Sequence, residues 1–178
     1  MTCRQLLLCA GTLFLAAAAL AEPGDRPNIL FIMSDDHAVR AVSAYGDSIM
    51  QTPNIDRIAE GGLRFDRAYV GNSICGPSRA TMLTGLHSHG NGFYSNEWSG
   101  PFDGSQQTLP TLLQSAGYNT AVVGKWHLYS DPVGFDHWSV IHNAFEQGTY
   151  YNPEFRGPDG IQQTNGYVAE LITDKAID

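Results

Sequence analysis

The chain's first clear pattern is a run of consecutive apolar residues, PNILFIM at 27–33. A run without alternation predicts a strand buried on both faces, as in a parallel sheet. It stops at Ser34-Asp35-Asp36-His37. In TPNIDRIAEGG at 52–62, Thr52 is placed to cap a helix and Pro53 suits its first position. Ile55, Ile58 and Ala59 share one face, and Gly61 or Gly62 ends it. LRFDRAYV at 63–70 alternates, which predicts a strand. A helix is expected from Ser78 to Thr84, just after Pro77. TLPTLLQSAG at 108–117 predicts a capped helix closed by Gly117, and YNTAVVGKWHL at 118–128 a strand ending in a polar cluster. From about 129 to 165 the chain is rich in Gly, Pro, Asn, Tyr and Phe without a period, so long surface loops are expected. GYVAELITDKAID then starts a helix with Val168, Leu171, Ile172 and the Lys175 stem on one side. Alternating strands and helices predict an α/β fold with a mainly parallel sheet flanked by helices. Such a sheet needs more strands than these, so the C-terminal part of the domain is expected to be missing.

The N-terminal pattern is of a different kind. Arg4 precedes an apolar stretch from Leu6 to Leu20, and Ala19-Leu20-Ala21 forms a small-x-small site before Glu22. This predicts a signal peptide over 1–21 and an exported, periplasmic or secreted protein; an uncleaved anchor is the alternative. Residues 22–178 are then the mature portion. No second apolar segment is long enough to span a bilayer, so no stable membrane insertion is expected.

Removing that leader changes both the charge and the cysteine count. Loss of Arg4 leaves nine basic against eighteen acidic residues and moves the formal net charge from −8 to −9. An acidic balance argues against bulk nucleic-acid binding, which needs a basic face. Cys3 and Cys9 leave with the leader, so Cys75 remains alone and has no internal disulfide partner. In an oxidising compartment a lone thiol is either buried and inert or present for its chemistry.

Three polar clusters stand at strand ends or in the loops after them, where open parallel sheets bind ligands. Asp35 and Asp36 can turn two carboxylates to one hard cation, or form a solvated turn. Cys75-Gly76-Pro77-Ser78-Arg79 opens a helix, where the dipole and a forked guanidinium favour a tetrahedral oxyanion. The competing reading is a buried Cys packed beside a Pro-initiated helix. Lys125 and His127, two apart, fall on the same side of an extended segment: a charge for an anion and a proton relay. Their plainer reading is a snorkelling Lys and a hydrogen-bonded surface His.

Together these stretches resemble the type I sulfatases. SICGPSRATMLTG resembles the first signature of that family, whose core is Cys-x-Pro-Ser-Arg; Gly76 occupies its variable position. GYNTAVVGKWHL resembles the second, and RPNILFIMSDDH and TPNIDRIAEGG follow the family in order and spacing. The resemblance covers nearly all of residues 26–178. It implies an alkaline-phosphatase-like α/β fold, of which this chain is the N-terminal portion, and hydrolysis of sulfate esters.

The resemblance also implies a role for each residue. Cys75 would be oxidised to formylglycine by a maturation enzyme and would contribute to the metal site. One hydroxyl of its hydrated aldehyde would attack sulfur. The second would lose its proton to expel sulfate, a route that serine lacks. Asp35 and Asp36 would bind a divalent cation, Ca²⁺ or else Mg²⁺. Arg79 would hold the modified residue, Lys125 would contact the sulfate, and His127 would hydrogen-bond a gem-diol hydroxyl. The remaining metal ligands, a second Lys and the leaving-group acid have no match within the chain, and His137 and His142 are assigned no role. HSHGNGFYSNEW and GTYYNPEFRGPDG most resemble sulfatases acting on carbohydrate, especially 6-O-sulfated N-acetylglucosamine. Rival readings are a sulfatase of another glycan, aryl or choline ester, a phosphohydrolase of the same fold, and a non-catalytic relative.

Overall fold

The computed structural model describes residues 26–46, 48–97, 99–143 and 148–178. The expected signal peptide at 1–21 lies outside the described residues. The chain divides into two units, residues 1–36 and 37–178.

In the first unit the predicted strand at 27–33 is not formed among the described residues. Ile29, Leu30, Phe31 and Ile32 are all exposed, Leu30 at 83%. An apolar run reports a preference for burial on two faces, but a strand exists only once a neighbour takes its N–H and C=O groups. No described strand pairs with this one.

The second unit begins with two 3₁₀ turns, Val39–Ala41 and Ser43–Tyr45. Helix α1, Pro53–Gly61, matches its predicted span. Thr52 does not cap it through its side chain. Its hydroxyl instead donates to Asp56 Oδ1 (3.0 Å) and accepts the Ser43 N–H (2.9 Å), tying the turn to the helix. Residues 63–70 form no strand, and Leu63, Phe65, Tyr69 and Val70 are exposed. Alternation fixes which side chains share a face but supplies no pairing partner.

Helix α2, Cys75–Thr84, starts three residues before the predicted Ser78. Pro77 sits inside its first turn, where a missing N–H costs nothing. The helix ends at Gly85, in the left-handed region at φ 69°, whose N–H donates to the Thr81 carbonyl. A short helix α3, Ser88–Asn91, follows. Helix α4, Leu109–Ser115, is entered with the Thr108 N–H donating to Thr111 Oγ1 at 3.0 Å.

The sheet runs in the order β1 (Ala121–Gly124), β2 (His137–His142), β3 (Glu154–Gly157), β4 (Gly160–Gln163). β1 and β2 are parallel with Val122 opposite Trp138, whereas β2–β3 and β3–β4 are antiparallel. This part of the sheet is therefore mixed. All of β2, β3 and β4 stand in the region expected to be loops. The β3–β4 hairpin turns at Pro158-Asp159, with Gly157 opposite Gly160. Helix α5, Val168–Ile177, lays Ile172 against Gly124 of β1. Its Lys175 donates to Gln162 Oε1 (2.9 Å) and lies over the Phe155 ring.

The core gathers Ala80 of α2, Phe93, Phe102, Trp126, Leu128 and Val140 of β2. Full burial of a side chain such as Leu128 is worth about 1.5–3 kcal/mol. Because Ala80, Trp126 and Leu128 belong to one cluster, α2 and the segment after β1 are held together by apolar contact. Asp136 adds a polar tie at the sheet's other end. Its carboxylate accepts the Thr120 N–H (2.7 Å), the Thr120 hydroxyl (3.0 Å) and Gln114 Nε2 (3.0 Å). The Thr120 N–H first, then the Gln114 amide, hold it below the usual carboxylate range.

Candidate active site

The second and third polar clusters meet. Cys75 is the first residue of α2 and is half-buried. Its Sγ lies 3.5 Å from Lys125 Nζ, across fifty residues of sequence. Arg79, one turn along α2, donates from Nη1 to the Lys125 carbonyl oxygen at 2.8 Å. The guanidinium thus clamps the backbone that carries the ammonium. Residue 75 therefore faces the open N-terminus of a helix and a lysine cation together, and each favours negative charge.

The segment carrying Lys125 and His127 is not the extended strand expected. β1 ends at Gly124, with φ 109°, and His127 and Tyr129 both take positive φ, 56° and 55°. The two side chains do not share a strand face. Lys125 reaches Cys75, while His127, 0% exposed, directs Nε2 to the Tyr129 hydroxyl at 3.2 Å. That hydroxyl donates to the Asn96 carbonyl oxygen at 2.5 Å.

Asn96 also reaches α2. Its Oδ1 accepts the Gly76 N–H at 2.9 Å. Ile74, the N-cap residue, has no side-chain acceptor and makes no cap of its own. Asn96, twenty residues downstream, therefore supplies the cap for one of the helix's four unsatisfied N–H groups. Gly76 is needed for this arrangement. A Cβ there would stand 2.6 Å from the Phe93 ring, 2.8 Å from the His127 carbonyl oxygen and 3.0 Å from Asn96 Oδ1. The position that varies in the signature is sterically closed in this chain.

Asp35 and Asp36 belong to the first unit. Both are exposed, and Asp36 takes φ 50°. Their carboxylates are hard donors suited to Ca²⁺ or Mg²⁺, but a full shell takes six or more oxygens. Among the described residues no group of three or more His, Cys, Asp or Glu gathers to complete one. A shallow groove lined by Trp138, Phe155, Asp159 and Gln162 lies at the β3–β4 hairpin and holds none of the candidate residues.

Sequence reasoning located Cys75, Arg79, Lys125 and His127 but missed Asn96 and Tyr129. Tyr129 continues the two-residue spacing of Lys125 and His127, a signal that was available. Nothing in the sequence around Asn96 points to α2.

Residues 27–178 match the sulfatase family model. An N-acetylglucosamine-6-O-sulfatase of Bacteroides thetaiotaomicron is 52% identical over 174 residues, covering 97% of this chain and 31% of that protein. The N-acetylgalactosamine-6-sulfatase of Mus musculus is 38% identical over 152 residues, 76% of this chain and 29% of that protein. A solved structure in complex with its substrate D-glucosamine-2-N,6-O-disulfate superposes with a TM-score of 0.82 at 55% identity, over 85% of this chain and 30% of that one. The chain thus spans less than a third of the length of these relatives.

Proposed function

Because the chain belongs to the sulfatase family and shares the alkaline-phosphatase-like α/β fold of its structural neighbours, we propose that the protein it forms removes the 6-O-sulfate of an N-acetylglucosamine or glucosamine unit. The observation that carries this is the 3.5 Å approach of Lys125 Nζ to the side chain of residue 75 at the start of α2. The substrate assignment is supported by the relative named as an N-acetylglucosamine-6-O-sulfatase and by the neighbour bound to a glucosamine disulfate.

In this reading Cys75 is converted to formylglycine by a maturation enzyme. The hydrated aldehyde supplies an oxygen nucleophile and, through its second hydroxyl, a way to release sulfate. The chain's own residues then do the following. The N-terminus of α2 and Lys125 Nζ place positive potential where the sulfate oxygens gather charge as the ester S–O bond breaks. Arg79 fixes Lys125 through its carbonyl, so that charge is preorganised. His127 hydrogen-bonds a hydroxyl of the hydrated residue 75. Asp35 and Asp36 would hold part of a Ca²⁺ shell, with Mg²⁺ the alternative, and their all-oxygen chemistry fits either ion. When bound, that cation supplies positive charge to polarise oxygen. The remaining ligands and the leaving-group acid come from outside the described residues. Export to the periplasm or medium, where sulfated glycans are met, belongs to the same proposal.

A phosphohydrolase of this fold would call for serine or threonine where Cys75 stands. The deciding experiment is the mass of the peptide containing residue 75 from the full-length protein, beside sulfate release from 6-sulfated N-acetylglucosamine. The mass of formylglycine or its hydrate, with release, is expected. An unmodified thiol in protein that still turns over would overturn the reading.

A further inference from the structure

We propose that Asn96 and Tyr129 are positioning residues: they hold His127 as the tautomer protonated on Nε2 and join it to the backbone of residue 76. The argument is a count of protons. The Tyr129 hydroxyl has one, and it is donated to the Asn96 carbonyl oxygen at 2.5 Å. Toward His127 Nε2, at 3.2 Å, the same oxygen can only accept. The hydrogen between them therefore belongs to Nε2. In a neutral imidazole the lone pair is then on Nδ1. His127 is 0% exposed, so bulk water does not compete for its ring nitrogens.

The network continues past Tyr129. The Asn96 backbone receives the tyrosine proton, while its side-chain Oδ1 receives the Gly76 N–H at 2.9 Å. One asparagine therefore spans the helix that presents residue 75 and the ring that serves it. The His127 carbonyl oxygen, 2.8 Å from the place of a Gly76 Cβ, brings the two backbones together from the other side. A shift of Asn96 moves both at once. The consequence is that the acceptor lone pair of a neutral His127 is on Nδ1, and not on Nε2.

The catalytic consequence rests on the sulfatase reading, but the tautomer does not. The test uses the full-length protein with ¹⁵N-labelled histidine, His127 being identified by the signal lost in His127→Gln. A protonated-type Nε2 and an unprotonated-type Nδ1 are expected at neutral pH. A protonated Nδ1, alone or together with Nε2, overturns the proposal whether or not the protein hydrolyses sulfate esters.

Tyr129→Phe, checked by thermal melting, should lose the fixed tautomer. Its kcat should fall about 10- to 100-fold with little change in KM, part of the ~10²–10⁴ a positioned acid–base group supplies. A change in the tautomer without the fall in kcat, or the reverse, overturns the positioning role. Asn96→Ala keeps the backbone carbonyl and should keep the tautomer while lowering kcat. Asn96→Asp, which retains an acceptor for Gly76, should recover part of that loss. Equal loss in both Asn96 variants would remove Asn96 from the proposal.

Discussion

The Lys125 ammonium lies 3.5 Å from the Cys75 sulfur, and the carbonyl of the same lysine is held by Arg79, one turn along the helix that Cys75 opens. Nucleophile position, cation and clamp thus form a closed loop through two segments far apart in sequence. Lys125→Ala should remove the cation and leave the fold, because the Arg79 bond is to backbone. A loss of about 10²–10³ in kcat is expected, as for deletion of one preorganised donor. Sulfate release with a melting curve checks it; an unchanged kcat would mean that Lys125 does not meet developing charge.

Cys75→Ser should abolish repeated turnover in the full-length protein while shifting stability modestly, within the ~0.5–3 kcal/mol usual for single substitutions. The swap barely alters volume at a half-buried helix start. Serine can attack once but has no second hydroxyl with which to expel sulfate. Mass spectrometry should find, at most, sulfate trapped on residue 75. Wild-type multiple turnover in this variant would make Cys75 a packing residue.

Gly76→Ala tests the closed pocket. Its methyl would meet the Phe93 ring at 2.6 Å and the His127 carbonyl at 2.8 Å, both well inside contact distance. Overpacking of this kind costs about 1–3 kcal/mol. The denaturation midpoint should fall, and sulfate release should fall with it as the backbones of 76 and 127 are pushed apart. An unchanged midpoint would show that Phe93 and residue 127 give way freely.

Asp136 makes stability depend on acid. Its carboxyl is held below its ordinary value of 3.8 in the folded protein, chiefly by the Thr120 N–H and then by Gln114. The folded state therefore favours the ionised form. That contribution is complete above the ordinary value and is lost as pH falls through the lowered one. Asp136→Asn should melt below wild type at neutral pH. The gap should narrow as pH drops below about 3.8. A gap that stayed constant to the lowest pH would remove ionisation from the account.

Elements with a complete local signal were legible in the sequence. Thr52-Pro53 and Thr108-Leu109-Pro110 mark helix starts, and α1 and α4 follow them. Residues 27–33 and 63–70 carried the right composition for strands, but pairing is not written in a segment's own residues. The hairpin of β3 and β4 had a readable sign in Gly157-Pro158-Asp159-Gly160, a turn sequence. It was obscured because its strands are four residues each and rich in polar side chains. In the site, chemistry was legible and support was not. Cys75, Arg79, Lys125 and His127 are conspicuous by type. Asn96 and Tyr129 act through a carbonyl, an amide and one phenol, groups that any loop could carry.

The positive φ angles of His127 and Tyr129 set a limit on how this chain could be improved. A side-chain-bearing residue in the left-handed region pays roughly 1–2 kcal/mol for its Cβ. Glycine would relieve that at 127 or 129, and selection for heat tolerance alone would favour the change. Yet glycine at 127 deletes the imidazole, and glycine at 129 deletes the hydroxyl beside it. The two most direct gains in backbone comfort are thus closed off by the chemistry. A thermostable version of this protein has to find its gains away from these two residues.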